Sequence, residues 1–147
     1  MIRFFDASVL VKRYVAEPES AVARRLFASS VPAVTRLSEI EVVSAFARRT
    51  REGALTPAEC DAVIAAFRDD LDGMTVVELT DGIALLASDL LRRHPLRSGD
   101  AVQLATCMYL ARETGTAVPL ATFDDRLAAA APNEGVPLAW PLPRARR

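Results

Sequence analysis

The chain has 147 residues and a formal net charge of −1, with 51% hydrophobic and 25% charged residues. This composition is typical of a globular chain with a sizeable core and excludes intrinsic disorder, and the near-zero charge gives no sign of a strongly basic nucleic-acid binder. Because no apolar run approaches the roughly 20 residues of a membrane span and the first residues lack a signal-peptide pattern, we expect a cytoplasmic protein without membrane contact.

Strand-like and helix-like patterns alternate along the chain. Four short apolar runs predict strands, namely MIRFF at 1–5, VPAVT at 31–35, MTVVEL at 74–79 and AVPLATF at 117–123. Segments with helical spacing lie between and after them, from about 8 and then at 20–29, 36–53, 56–73, 80–93, 98–115 and 124–131. GVPLAW, at 135–140, predicts a weak fifth strand at an edge.

The order of these elements predicts the fold class. Strands that are separated by helices form a parallel sheet covered on both faces, which is an α/β fold of three layers. Thr56 and Glu59 form a capping-box pattern that begins the helix at 56–73. We expect one domain over residues 1–142, followed by a basic tail at 143–147.

Several carboxylates are predicted at one edge of this sheet. Asp6 ends the first strand, Asp124 ends the fourth, and Asp100 begins the helix that leads into the fourth strand. Glu39 and Glu41 lie in the first turns of the helix after the second strand. Because ligands of open parallel sheets bind beyond the carboxyl ends of the strands, these acids mark a candidate site.

A structural role is the alternative for each acid taken alone. Aspartate is a preferred helix N-cap, and both Asp100 and Asp124 stand at helix starts. Taken together, however, carboxylates at one edge repel one another and raise each other's pKa unless a cation lies among them. Magnesium is such a cation, since it accepts one or two direct carboxylates and keeps several waters.

Periodicity does not choose between the two glutamates. Glu39 and Glu41 are two residues apart, so they point in directions about 200° apart on a helix. The apolar positions that we expect to face the core lie between them, at Leu37, Ile40, Val43 and Ala47. Either glutamate therefore fits the site on spacing alone.

Four segments carry a resemblance to a known family. FFDASVLVK, LSEIEVVSAFARR, LRSGDAVQLATCMYL and LATFDDRLAAAA, in this order, resemble the four acidic motifs of PIN-domain ribonucleases, specifically the VapC-type toxins of toxin-antitoxin operons. The resemblance implies a PIN-like α/β/α sandwich with a mostly parallel sheet of about five strands. It also implies a Mg²⁺- or Mn²⁺-dependent endoribonuclease that cleaves RNA, is blocked by a small cognate antitoxin and forms a homodimer.

The resemblance also assigns roles to residues. It favours Glu41 over Glu39 and Asp124 over Asp125, because the family places a glutamate before VxxA and an aspartate in TFDxRL. The implied catalytic residues are Asp6, Glu41, Asp100 and Asp124, with Asp6, Asp100 and Asp124 as metal ligands and Ser8 and Thr122 in support. Arginines near this edge are candidates for holding RNA phosphates, namely Arg13, Arg48 and Arg97.

Two helices carry apolar residues outside their expected core stripes. On the helix at 36–53, Val42 and Phe46 form a pair on the side away from that stripe, which we expect the antitoxin to cover. On the helix at 98–115, Val102, Tyr109 and Leu110 extend the apolar surface around most of the circumference. A helix of this kind is buried on more than one face, which favours a symmetric homodimer.

Three other functions remain as alternatives. A phosphotransfer enzyme of the haloacid-dehalogenase kind also has an aspartate after its first strand, but it requires a second carboxylate at the position of Ser8. A receiver-type signalling domain requires an acidic pair there and a phosphoacceptor aspartate after the third strand, where VVELTDG gives no convincing match. A catalytically silent PIN-like binding module would have lost some of the four acids, all of which are present.

Overall fold

The structure is a computed structural model that describes residues 1–140, so the predicted basic tail at 143–147 and the predicted domain end at 142 lie outside the described residues. The elements follow the predicted order. In chain order they are β1 (Ile2–Phe5), α1 (Ala7–Tyr14), α2 (Ser20–Ala28), β2 (Val31–Thr35), α3 (Arg36–Arg51), α4 (Pro57–Leu71), β3 (Thr75–Val77), α5 (Asp81–Arg93), α6 (Ser98–Thr114), β4 (Leu120–Ala121) and α7 (Asp125–Asn133).

The sheet is parallel, with the strand order β3-β2-β1-β4. Within residues 1–140 it has four strands rather than about five, because the predicted strand in GVPLAW contributes only an isolated parallel bridge between Leu138 and Leu120. Pro137 precedes Leu138 and has no N–H to donate, which keeps this pairing short. From β1 the chain adds β2 and β3 on one side and then returns to add β4 on the other side, so the strand order reverses beside β1. A ligand site is expected beyond the carboxyl end of a strand at such a point.

Helices cover both faces of the sheet. Successive strand residues point to opposite faces, so Phe5 packs in a core cluster with α1 to α4, while Phe4 packs in a second cluster with α5 to α7. Both side chains are fully buried. The result is the predicted three-layer α/β/α sandwich. Within the described residues, none of the helices has both the length and the apolar character needed to cross a membrane.

The predicted core face of α3 is wrong. Val42 and Phe46 are fully buried in the core, whereas Ile40 is 67% exposed. The helix carries two apolar stripes, and α1 and α4 pack on the one that contains Val42 and Phe46. The expectation that an antitoxin covers this pair therefore fails, because the pair is not at the surface.

The helix α6 is satisfied within the chain. Leu110 is buried, and Val102 and Tyr109 pack partly buried against the cluster formed with α5 and α7. No second copy is needed to explain the apolar surface of α6, since α5 and the sheet already cover more than one of its faces. The surface of α6 therefore gives no support for a homodimer, and dimerisation stays a prediction.

Candidate active site

A polar pocket of about 370 Å³ lies beyond the carboxyl ends of β1 and β4. The two strands end side by side, because Phe5 pairs with Ala121. Residues of α1, of α3 from Glu41 onward and of the start of α6 complete the pocket. All four predicted catalytic carboxylates line it, namely Asp6, Glu41, Asp100 and Asp124. A larger cavity, of about 570 Å³, is lined by residues of α1 and α2 and by Gly73 and Met74, which precede β3. None of the four acids lines this cavity.

Asp6 is the most deeply buried of the four, with 4% of its surface exposed. It precedes α1 at the N-cap position, yet its side chain makes no capping hydrogen bond. Its Oδ2 instead accepts from Ser8 Oγ at 2.7 Å and from Thr122 Oγ1 at 2.9 Å. Burial raises the pKa of Asp6 and the charge of Asp100 raises it further, whereas the two hydroxyl donors lower it. The capping explanation does not hold for this residue.

Ser8 and Thr122 join the two strand ends around Asp6. Ser8 Oγ accepts from the backbone N–H of Phe123 at 3.0 Å, and Thr122 Oγ1 accepts from the backbone N–H of Asp124 at 3.0 Å. Each hydroxyl therefore donates to Asp6 while it fixes the loop after β4. Both residues therefore contact Asp6 directly, and their role in support of catalysis stays a prediction.

Glu41 faces the pocket from α3. Its Oε1 accepts a hydrogen bond from Gln103 Nε2 at 2.7 Å. Burial raises the pKa of Glu41, and the charges of Asp6 and Asp100 raise it further, whereas the hydrogen bond from Gln103 lowers it. Glu39 lies elsewhere on the helix and pairs with Arg36 at 2.9 Å. The structure thus brings Glu41, and not Glu39, to the other acids.

Asp100 and Asp124 differ in their local roles. Asp100 lies in the first turn of α6, whose N-cap is Arg97, so it does not cap this helix itself. Burial and then the charge of Asp124 raise the pKa of Asp100, while Arg97 and Arg126 lower it. Asp124 does cap α7, since its Oδ1 accepts from Leu127 N at 2.8 Å. That cap uses one carboxylate oxygen, and a role as a ligand through the other is compatible with it.

Basic side chains surround the carboxylates. The predicted Arg48 and Arg97 line the pocket, and so do Lys12 and Arg49, which the sequence analysis did not single out. Glu17, which also lines the pocket, accepts hydrogen bonds from Arg49 and lies 3.8 Å from Lys12 Nζ as an ion pair.

Arg13 does not lie beside the acids, contrary to its prediction as an RNA contact at this edge. It lines the larger cavity, where its guanidinium lies 4.3 Å from the Phe27 ring centroid and 3.6 Å from Asp70. The reason is geometric, because seven residues of α1 separate Arg13 from Asp6, or about 10 Å along the helix axis.

The donor set fits a hard divalent cation. It consists of oxygen ligands only, and burial together with mutual repulsion raises the pKa of Asp6, Glu41 and Asp100, a cost that a bound cation would relieve. Within residues 1–140, no three His, Cys, Asp or Glu side chains are gathered closely enough to ligate one ion directly. An ion that keeps several of its waters, as magnesium does, suits carboxylates at this spacing.

Comparisons with known proteins show the family of this chain. The family model described as PIN domain matches residues 3–132. Ribonuclease VapC45 of Mycobacterium tuberculosis is 34% identical over 125 residues, which cover 84% of this chain and 85% of the relative. Ribonuclease VapC46 of the same species is 32% identical over 138 residues, which cover 94% and 96%.

Solved structures share the fold at lower identity. The crystal structure of VapC20 of Mycobacterium tuberculosis, a Sarcin-Ricin loop cleaving toxin, aligns with a TM-score of 0.67 at 24% identity over 88% of this chain and 95% of that one. A toxin-antitoxin complex from Klebsiella pneumoniae aligns with a TM-score of 0.65 at 18% identity over 95% and 99%. By its family match, its relatives and its fold, this chain belongs to the VapC-type PIN-domain ribonucleases.

Proposed function

We propose that this chain is a divalent-metal-dependent endoribonuclease, the toxin of a VapBC-type toxin-antitoxin pair. The observation that carries the proposal is the convergence of Asp6, Glu41, Asp100 and Asp124 on one pocket in a chain of this family. Asp6, Asp100 and Asp124 would hold Mg²⁺ or Mn²⁺, in part through waters that the ion keeps, and Glu41 would contribute directly or through a water.

Residues in and beside the pocket would divide the work of the reaction. A bound divalent ion would supply a water of lowered pKa and would stabilise negative charge on the scissile phosphate. Ser8 and Thr122 hold Asp6 in one orientation through the hydrogen bonds of 2.7 and 2.9 Å. Arg48 and Arg97 provide positive charge at the entrance, where carboxylates alone would repel the RNA backbone.

The alternatives fit the structure less well. A haloacid-dehalogenase-like enzyme would use a second carboxylate at position 8, whereas Ser8 is a hydroxyl donor to Asp6. A silent binding module has no need for carboxylates whose pKa is raised by burial and by one another. Such groups cost stability and are retained where they serve a function.

Expression in a host that lacks the antitoxin tests the biological role. We expect growth arrest by the intact chain, no arrest by the Asp100→Asn variant at equal abundance, and recovery when the small protein encoded beside this chain is co-expressed. Normal growth with abundant, folded wild-type protein would contradict the toxin assignment.

We also propose that the chain forms a symmetric homodimer, on the resemblance to its family alone. Light scattering on the purified chain at micromolar concentration should give twice the monomer mass of 15.9 kDa. A mass near 15.9 kDa that does not change on concentration would show that the monomer is the stable species.

A further inference from the structure

A buried amide on α6 contacts the carboxylate of Glu41. Gln103 is fully buried, and its Nε2 donates to Glu41 Oε1 at 2.7 Å and to Ser38 Oγ at 2.9 Å. These bonds join α3 to α6 beneath the pocket. Gln103 is not among the described residues that line the pocket, so it reaches the site only through Glu41.

The orientation of this amide follows from the charge of Glu41. Gln103 Oε1 is buried and has no hydrogen-bond partner among residues 1–140. Turning the amide over would offer Oε1 the hydroxyl of Ser38 as a donor, but it would also set Oε1 against a carboxylate oxygen. The side chain therefore leaves an acceptor unsatisfied in order to donate to Glu41, which packing alone does not require.

The first turn of α6 also lies near the second oxygen of Glu41. A Cβ atom at Gly99 would lie 3.0 Å from Glu41 Oε2, so a side chain there would force the carboxylate to shift. Gly99 and Gln103 are four residues apart and share one side of the helix. The carboxylate is thus held at one oxygen by a donor, and glycine at position 99 leaves room for the other.

We infer that Gln103 is a positioning residue, which fixes the carboxylate of Glu41 toward the pocket through this hydrogen bond. Its effect on catalysis rests on the proposed function, because Gln103 itself contacts neither RNA nor the reacting atoms. Partners of this kind that hold metal-site carboxylates typically change metal affinity or activity by about 10–100-fold when they are replaced.

The Gln103→Met variant tests this inference, because it keeps the shape of the side chain and removes the donor. We expect kcat for RNA cleavage to fall about tenfold or more while KM is unchanged, and Mn²⁺ to bind the free protein more weakly by calorimetry. Ser38→Ala is the matched control, since it removes the other partner of Nε2 and leaves the bond to Glu41. It should keep both values, and melting temperatures will show that all variants fold.

The Glu41→Gln background separates positioning from a general effect on structure. There the carboxylate is gone, so adding Gln103→Met should change kcat and Mn²⁺ affinity little further. An equal loss in both backgrounds, or wild-type kcat and Mn²⁺ affinity in Gln103→Met, would overturn the inference. A wild-type chain that binds Mn²⁺ but does not cleave RNA would contradict the proposed function instead, and the Mn²⁺ measurements would still decide the role of Gln103.

Discussion

The Asp6→Asn variant should lose RNA cleavage while its fold stays as stable as the wild type at neutral pH, or becomes more stable. Cleavage should fall by at least about a hundredfold, since even residues that only support metal ligands change activity by 10–100-fold. Stability should not fall, because the buried Asp6 caps no helix and the asparagine removes a charge that is costly to bury. A capping role would predict a loss of about 1 kcal/mol instead.

The pH dependence of stability gives this prediction a second test. The pKa of Asp6 is raised in the folded chain, so the folded state binds more protons than the unfolded state as the pH rises above about 4. Asp6 therefore contributes more favourably to the free energy of unfolding in acid than at neutral pH. This contribution is lost as the pH rises through the pKa of Asp6 in the folded state. Carboxylates with lowered pKa, such as Glu17, act in the opposite direction. The free energy of unfolding of Asp6→Asn minus that of the wild type should thus increase from pH 4 to pH 7, measured by urea titration without divalent ion.

Asp125→Asn is the matched control for this variant. Asp125 is exposed and adjoins Asp124 in sequence, but it lies outside the carboxylate pocket. Its replacement should leave cleavage near the wild-type rate. If Asp6→Asn lost stability and kept nuclease activity, Asp6 would be a structural residue and not a metal ligand.

Divalent ions should stabilise the folded chain strongly at neutral pH. An ion that binds only the folded state at about 100 times its Kd adds about 2.7 kcal/mol, which corresponds to an increase in Tm of about 5–10 °C for a chain of this size. The gain should be much smaller at pH 5, because protons compete for carboxylates whose pKa is raised.

Calorimetric melts with Mn²⁺ and with EDTA measure this effect. Asp100→Asn should melt at the same temperature in both solutions, since it removes one of the three proposed ligands. Its melting temperature in EDTA should equal or exceed that of the wild type, because one repelling charge is gone. Equal melting temperatures for the wild type in Mn²⁺ and EDTA would contradict a metal site in this pocket.

The position of the site follows from the order of the strands and helices along the chain, without any side-chain detail. Asp6 and Asp124 follow parallel strands, and neighbouring parallel strands end at one edge of the sheet. The structure places β1 beside β4, so the two acids meet. The choice of Glu41 over Glu39 rested on the resemblance, because helical spacing placed both beside the expected core stripe.

The faces of α3 and α6 show where local pattern fails. On α3, both the stripe with Ile40 and the stripe with Val42 have helical spacing, and only the positions of α1 and α4 decide which is buried. On α6, the apolar surface of Leu110 indicated burial correctly but did not say what covers it. Neighbouring helices of the same chain cover Leu110. The spacing of apolar residues along a helix does not show whether its partner belongs to the same chain or to a second copy.

Gln103 was missed as a functional residue because its pattern had a local explanation. A glutamine three residues after Asp100 at a helix start fits a capping pattern, whereas its amide contacts Glu41 and Ser38 on another helix. These partners lie more than 60 residues away in the chain, so no local signal identifies them. Arg126 was missed similarly, since its effect on Asp100 depends on how α7 packs beside α6.

The most direct test of the central claim is the cleavage of a labelled RNA by the purified chain as Mn²⁺ is titrated from zero in the presence of EDTA. We predict no cleavage in EDTA, a rate that rises and saturates with free Mn²⁺, and no cleavage by Asp100→Asn at any Mn²⁺ concentration. Cleavage that persists in EDTA, or that Asp100→Asn retains, would contradict catalysis by a metal ion held among these carboxylates.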